Sequence, residues 1–322
     1  MSATSPSRLS SRVVLAFACV YFFWGSTYTA IRVAGVHLAP PLVGASRSTL
    51  STVLLILICV VRRTSLRVTR KEAWQLALVG VLFMSGNNVL LTWAETMVSS
   101  GLASLVIATM PIMIALMETA LPGGEALNKR GWTGVVLGTA GIFALVSPSL
   151  RGAEPGGGRQ LFAFGVLLVA ALLFAVGSVL ARRFRFKMNM FVATTWQLGA
   201  ASVVNLAVAV AGRNLKTAVW TRQGIEAIAY LAVFGTIVGL SAYTYLLQHV
   251  PVTKVSTYAF VNPMIAVLLG LVLLHERLAP TEMLGMGIIV AAVAMVILSR
   301  VKRNAGGDDG AVEDSTAELS EV

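Results

Sequence analysis

Two charged side chains set inside long apolar runs are the strongest candidates for chemistry in this sequence. Glu118 lies seven residues after Pro111, which places both residues on about the same face of a helix. A charged group inside lipid is costly, so each one is a candidate functional residue. Glu118 could bind a proton or a substrate amine, or it could pair with a cation near the membrane surface. Arg47 could bind a substrate carboxylate, or it could join helices through their backbone carbonyl groups.

Uncharged polar and aromatic residues in the same runs form a second group of candidates. Amides can hydrogen-bond a zwitterion or a sugar, but they can also simply join helices, at roughly 0.6–2 kcal/mol each. Aromatic rings can enclose the apolar part of a ligand. The candidate substrate-binding residues are Trp24, Ser26, Asn87, Trp196, Gln197, Tyr243 and Asn262.

Two prolines, Pro111 and Pro263, each interrupt an apolar run. Proline removes one backbone hydrogen bond and bends a helix. The two residues are therefore predicted to act as hinges or gates, although proline kinks are also common in ordinary membrane helices.

Motifs typical of enzymes are absent from the sequence. It contains neither an H-E-x-x-H zinc motif nor a G-x-x-x-x-G-K-[ST] phosphate loop. Its two cysteines, Cys19 and Cys59, lie in apolar runs and cannot supply a four-ligand zinc site or a disulfide framework. The sequence therefore predicts no catalytic residue, no metal site, no cofactor and no enzyme activity.

The apolar runs that carry these residues predict an all-α integral membrane protein with ten spans. Hydrophobic residues make up 57% of the 322, and charged residues 12%, which is about half the charged share of a soluble domain. A bilayer core about 30 Å thick needs about 20 apolar residues for each helix. Residues 1–12 would precede the first span, and 301–322 would form an acidic, disordered tail. The predicted spans are approximately 13–34, 42–61, 73–93, 101–120, 131–148, 161–181, 190–211, 225–247, 254–274 and 282–300.

Basic residues in the connections predict the orientation. The segments that share a side with the two termini hold seventeen Lys and Arg residues, and the segments on the other side hold six. Since short cytoplasmic loops are enriched in Lys and Arg, both termini are predicted to be cytoplasmic. The net charge of +11 comes largely from these clusters, so no nucleic-acid partner is predicted.

The two halves of the sequence resemble each other at an offset of 152 residues. Each half holds five spans, over 13–148 and 161–300, with 149–160 as a linker. An odd number of spans forces the second copy to enter the membrane from the opposite side. Such inverted repeats are typical of secondary transporters with a site near the midplane; they also occur in channels, but we favour a carrier. The matched positions are Gly25-Ser26 with Gly177-Ser178, Thr92-Trp93 with Thr244-Tyr245, Ser104 with Ser256, and Pro111 with Pro263.

Short motifs within these repeats cover nearly the whole chain, from about residue 13 to residue 300. They include Phe23-Trp24-Gly25-Ser26-Thr27, Pro40-Pro41, Thr92-Trp93-Ala94-Glu95, Ala108-Thr109-Met110-Pro111, Asn262-Pro263 and Glu276-Arg277-Leu278. On these motifs the chain resembles the drug/metabolite transporter superfamily, and within it the EamA-type ten-helix transporters of the metabolite and drug exporter branch. The resemblance implies a basket of helices 1–4 and 6–9 around a central cavity, with helices 5 and 10 at the side. The candidate binding residues could line that cavity.

Four glycines of the fifth span share one helix face and predict close packing: Gly131, Gly134, Gly138 and Gly141. That packing could join the two repeats, or it could join two copies of the chain in a homodimer through helices 5 and 10.

These observations predict a secondary carrier of the inner cell membrane that exports a small metabolite or drug-like compound by alternating access. Its partners would be that small molecule and the lipid bilayer. Uptake or exchange is the alternative within transport. A membrane-embedded enzyme acting on lipid-linked substrates is less favoured, because it would need a cluster of acidic, His or Cys residues near one interface.

Overall fold

The computed structural model describes residues 10–122, 127–150, 157–250, 255, 257–276 and 280–317, and every regular element within these ranges is a helix. Nine of these helices are long and apolar enough to cross a membrane, and a tenth apolar helix is shorter. The predicted all-α fold with ten helices is therefore confirmed. The helices are α1 (Ser11–Gly35), α2 (Pro40–Val61), α3 (Arg70–Ala94), α4 (Ser100–Ala120), α5 (Lys129–Leu150), α6 (Gly157–Phe184), α7 (Met190–Ala211), α8 (Arg222–Leu246), α9 (Tyr258–Leu273) and α10 (Pro280–Ala317).

Local sequence explains where several helices begin. At α3, the Thr69 hydroxyl accepts from the Glu72 backbone N–H, and the Glu72 carboxylate accepts from the Thr69 backbone N–H. This capping box satisfies two backbone donors that a helix start leaves open. The Asn189 side chain caps α7 in a similar way, and α2 starts at Pro40, whose fixed φ suits the first turn.

Helix ends follow a second local rule. Four helices end beside a basic residue with positive φ: Arg63, Arg185, Arg213 and His275. A left-handed residue at this position lets the chain turn back onto the last carbonyl groups. A positive side chain there also suits the negative end of the helix dipole.

The ten successive helices define two faces of the molecule. We call the side with both chain ends the terminus face and the opposite side the far face. The C-terminal ends of α1 and α9 and the connection 95–99 between α3 and α4 lie at the far face.

The helices α3 and α8 each contain a π-helical segment, over Val81–Asn87 and Leu231–Val238. In each case a side chain donates at 3.0 Å to the carbonyl group five residues earlier, Asn88 in α3 and Thr236 in α8. The sequence indicated Asn87 of α3 as a candidate binding residue, but it predicted neither π-helical segment. Since the segments occupy nearly matched positions of the two halves, the irregularity is part of the repeat.

The matched prolines have different surroundings. A break at Ala108 and Thr109 divides α4, and Pro111 lies in the first turn after it. Pro263 instead lies inside the continuous helix α9. Their action as paired hinges stays a prediction.

The glycine face of α5 packs against α10. A Cβ atom on Gly134 would lie 2.8 Å from Val296 Cγ2 and 2.9 Å from the Ala292 carbonyl oxygen, so only glycine permits this approach. The two repeats thus meet at this face within one chain. A homodimer through helices 5 and 10 would have to use their other faces, and it stays a prediction.

The tenth helix differs from its predicted boundary. The sequence placed its end at residue 300 and predicted a disordered tail, whereas α10 continues to Ala317. No proline follows Pro280, so nothing in the backbone interrupts the hydrogen-bond ladder after the span.

Candidate functional site

A buried arginine lies between the two π-helical segments. Arg47 of α2 donates through Nε to the Thr236 hydroxyl at 3.1 Å and through a terminal nitrogen to Asn88 Oδ1 at 3.0 Å. Thr236 lies within the π-helix of α8, and Asn88 directly follows that of α3. Both partners are neutral. The contacts correspond to the helix-joining role that the sequence left open for Arg47.

Two of the three predicted binding amides make contacts between helices. The Asn87 amide is buried and donates to the Ala170 carbonyl oxygen of α6 at 3.0 Å. The Asn262 amide is buried on α9, where its nitrogen can donate at 3.3 Å to the carbonyl oxygens of Tyr21 and Tyr258. Each amide therefore satisfies a carbonyl group inside the helix bundle.

The structure brings together two predicted residues, Trp24 of α1 and Tyr243 of α8. The Trp24 ring centroid lies 5.2 Å from that of Tyr243, and 5.0 Å from that of Tyr258 on α9. Nearby on α1, the Ser26 hydroxyl lies 2.6 Å from the Tyr230 hydroxyl of α8. Tyr258 was not among the predicted residues. We call Trp24, Tyr243 and Tyr258 the aromatic cluster.

The structure places the other predicted aromatic residue elsewhere. Trp196 of α7 is 38% exposed, and its indole N–H donates at 3.0 Å to the Leu66 carbonyl oxygen in the α2–α3 connection. Gln197 follows it, and its backbone lies directly against Gly80 of α3. None of the ring contacts among the described residues joins Trp196 to the aromatic cluster.

Glu118 has a cationic partner at the terminus face. Its carboxylate accepts from Arg182 at 2.8 Å, and the Glu118 side chain is 4% exposed, whereas that of Arg182 is 55% exposed. The pair ties α4 to the end of α6. This geometry corresponds to the pairing role that the sequence offered as one alternative for Glu118.

Replacing Glu118 with glutamine should therefore have a small effect. The amide can still accept from Arg182, and a pair with one half-exposed partner contributes at most about 1 kcal/mol. We expect a small change in the apparent unfolding midpoint of Glu118→Gln, and transport equal to that of the wild type at every pH. Loss of the pH dependence of transport in Glu118→Gln would instead make this carboxylate a proton site.

The far face holds a polar cluster that the sequence did not single out. The Glu276 carboxylate accepts from the Ser100 N–H at 2.9 Å, from the Ser100 hydroxyl at 2.7 Å and from the Gly101 N–H at 3.4 Å. A residue of the second repeat thereby caps the first turn of α4 in the first repeat. Arg32, near the end of α1, donates to the Val98 carbonyl oxygen at 3.4 Å. We call these contacts the far-face latch.

Two cavities flank the end of α1 beside this latch, with volumes of about 300 and 210 Å³. Arg32 and Val36 line both. Glu276 lines the larger cavity, and Glu95 lines the smaller one. The far face therefore combines recesses with charges of both signs.

Glu95 is the most unusual residue of this region. It is 1% exposed, and neither carboxylate oxygen has a hydrogen-bond partner. It belongs to the connection 95–99 between two spans. Burial raises the pKa of Glu95 well above its ordinary value, Arg32 lowers it, and Glu276 raises it further. Because Glu95 follows Trp93 at the predicted end of a span, its sequence position looked interfacial, and only the fold reveals that it is enclosed.

Comparisons with known proteins agree with this architecture. The sequence matches the EamA-like transporter family over residues 11–147 and 161–298, which are the two repeats. It is 34% identical to the uncharacterized inner membrane transporter YedA of Escherichia coli K12 over 88% of this chain and 90% of that protein. A WAT1-related chloroplastic protein of Arabidopsis thaliana is 25% identical over 86% of this chain and 67% of its own. A crystal structure with 20% identity matches at a TM-score of 0.63, over 90% of this chain and 99% of that chain, and supports the fold alone.

Proposed function

Because the chain belongs to the EamA-like transporter family, we propose that this membrane transporter is a secondary carrier that exports a small metabolite or drug-like compound by alternating access. The two repeats would rock against each other and expose a central site first to the cytoplasm and then to the other side. Uptake or exchange by the same motion is the second candidate.

The observation that carries this proposal is the pair of π-helical segments bridged by Arg47. π-Helical turns are rare and occur often at functional sites. Here they lie at nearly matched positions in α3 and α8, and one guanidinium holds both. A joint of this kind supports a motion in which the outer ends of the helices move while their middle stays connected.

The far-face latch supports the same motion. In it the Glu276 carboxylate accepts hydrogen bonds from Ser100 at the start of α4, and Arg32 donates one to the connection before α4. Such bonds can break without unfolding a helix. Opening this face would therefore require loss of a few exchangeable contacts, those of Glu276 between the repeats and that of Arg32 within the first repeat.

The chemistry of the central residues supports an amphipathic substrate. The aromatic cluster offers ring faces to an apolar group, and Ser26 and Tyr230 offer hydroxyl groups nearby. We expect a ligand with one apolar part and a few hydrogen-bonding groups.

We also propose that the protein spans the inner membrane with both termini in the cytoplasm. The excess of basic residues on the terminus face, seventeen against six, supports this orientation. The E. coli relative at 34% identity is named as an inner membrane transporter. In this orientation the far face is periplasmic.

Counterflow in liposomes tests the proposed function. Purified protein would be reconstituted, and vesicles loaded with amino acids, nucleosides or cationic drugs would be assayed for uptake of the same labelled compound. We expect saturable exchange for one compound class and none in protein-free vesicles. Flux without saturation would indicate a channel, and hydrolysis of a lipid-linked compound without any exchange would indicate an enzyme.

A further inference from the structure

Glu95 is enclosed at the far face beside the latch, and no hydrogen-bond donor contacts its carboxylate. Both carboxylate oxygens are buried and without a hydrogen bond. An ionised carboxylate in such a place is highly unfavourable, whereas the protonated form carries no charge. Two hydrogen bonds hold the latch closed beside it. The Glu276 carboxylate accepts from the Ser100 hydroxyl, and Arg32 donates to the Val98 carbonyl oxygen.

The charged and titratable groups around Glu95 come from several elements. The Glu95 carboxylate interacts electrostatically with Tyr28 and Arg32 of α1 and with Glu276 after α9. The adjoining half of α4, Ser100–Ile107, has no titratable side chain. The helix α6 contacts the end of α3 through Phe162, whose ring packs against Trp93. The basic residue of α6 closest in sequence to Phe162 is Arg159, and it is exposed.

The positive charge of Arg32 determines which ligand fits. Arg32 and Glu95 line the same 210 Å³ cavity. A metal cation or a substrate amine would meet repulsion from the guanidinium, and the buried oxygens offer it no open coordination position. A proton needs no such space, because it binds to the carboxylate itself.

We propose that Glu95 is a proton-binding site whose protonation holds the far face of this carrier closed. The inference rests on the alternating-access function proposed above. With the latch closed, Glu95 holds a proton as a neutral carboxylic acid. When the latch opens, water reaches the carboxyl group, its O–H bond breaks, and the proton passes to far-side water. Arg32, released from the Val98 carbonyl group, then lies close enough to pair with the carboxylate.

The direction of the pH effect follows from proton linkage. The closed state binds the Glu95 proton more tightly than the open state, because burial penalises the ionised form only while the latch is closed. Rising pH therefore favours opening. In the pH range where the closed state still holds the proton and the open state has lost it, each opening releases one proton. The ratio of open to closed molecules then rises by up to about tenfold per pH unit.

Cysteine labelling at Val98 tests this directly and needs no substrate. Val98 is 4% exposed in the closed far face. Val98→Cys would be introduced after Cys19→Ala and Cys59→Ala, and its rate of reaction with a maleimide would be measured in nanodiscs from pH 5 to pH 9. Val36→Cys in the same background reports a position that is already 64% exposed. Dividing the two rates removes the pH dependence of the thiol itself.

We expect this ratio to rise with pH in otherwise wild-type protein, by up to about tenfold per unit over part of the range. Glu95→Gln should make the ratio independent of pH, and Glu95→Asp should restore a pH dependence. Glu226→Gln is the matched control, because Glu226 is an exposed carboxylate paired with Arg222 in α8, and it should behave as wild type.

Two other outcomes overturn different conclusions. If Val98→Cys reacts at a ratio that is flat with pH, or that rises equally in Glu95→Gln, the far face opens but Glu95 does not control it. The proton site is then wrong, and the carrier function stands. If Val98→Cys reacts at no pH while Val36→Cys does, the far face does not open, and both conclusions fail.

Discussion

Adding one methyl group at Gly80 should destabilise the protein by about 1–3 kcal/mol or more. A Cβ atom there would lie 2.5 Å from the Gln197 Cα and 2.6 Å from its carbonyl carbon, and closer still to its carbonyl oxygen. These are backbone atoms of α7, so no side-chain rotation can relieve the overlap. Gly80→Ala must instead push α3 and α7 apart directly before the π-helix of α3.

Gly165→Ala provides the matched control for this prediction. Gly165 lies inside α6, and a Cβ atom there would meet no heavy atom within 4 Å. We expect Gly165→Ala to unfold at or slightly above the wild-type temperature, and Gly80→Ala to unfold several degrees lower. Apparent midpoints in one detergent at one scan rate make the comparison valid even where unfolding is irreversible. Equal midpoints for the two variants would contradict the close approach of α3 and α7.

Removing the Arg47 side chain should have the second large effect. Arg47→Ala would leave a cavity between α2, α3 and α8, and large-to-small changes in a packed interior cost about 2–5 kcal/mol. It would also leave Asn88 and Thr236 without their donor. Arg47→Met fills most of the space and loses only the hydrogen bonds, so we expect a smaller loss, of about 1–3 kcal/mol.

The same variants separate the two roles considered for Arg47. If the guanidinium joins the π-helical segments, Arg47→Met should slow counterflow of every transported compound by a similar factor. If it binds a substrate carboxylate, Arg47→Met should retain wild-type stability and lose exchange of carboxylate-bearing compounds alone. Thermal unfolding and counterflow on the same protein preparation distinguish these results.

The fold could be predicted from the sequence because each of its signals is local. A run of about 20 apolar residues is sufficient to identify a membrane helix. An odd number of such helices per repeat dictates the inversion, and glycines spaced three and four apart identify the α5 face that packs on α10. The first two inferences require no knowledge of which helices are neighbours. The third does, and the sequence left the partner of the α5 glycine face open.

The candidate site depends on neighbours distant in sequence, which is why its prediction was only partial. Glu118 was singled out for its depth in an apolar run, but its partner Arg182 becomes evident only when α6 lies beside α4. Glu95 was noted only as part of a family motif and not as a site residue, because a glutamate at a helix end is ordinarily solvated. Its enclosure depends on how neighbouring helices such as α1 pack around it, and nothing in residues 95–99 encodes that packing.

The π-helical segment of α8 shows a third kind of limit. In α3 two consecutive amides, Asn87 and Asn88, lie at the end of the π-helical segment, whereas in α8 the corresponding stretch, Leu231–Val238, is almost entirely apolar. The widened turn there is stabilised by the Thr236 hydroxyl and by Arg47 from another helix. Only the symmetry between the repeats could have indicated it.

Distances between paired spin labels test alternating access most directly. One pair would report the far face, at Thr96→Cys and Leu273→Cys, and a second pair the terminus face, at Ala120→Cys and His249→Cys; all four positions are exposed. The carrier account predicts two distance populations at each face in nanodiscs, and a compound that exchanges in counterflow should shift them in opposite directions. A single fixed distance at both faces, or a widening of both faces together as in a channel, would contradict it.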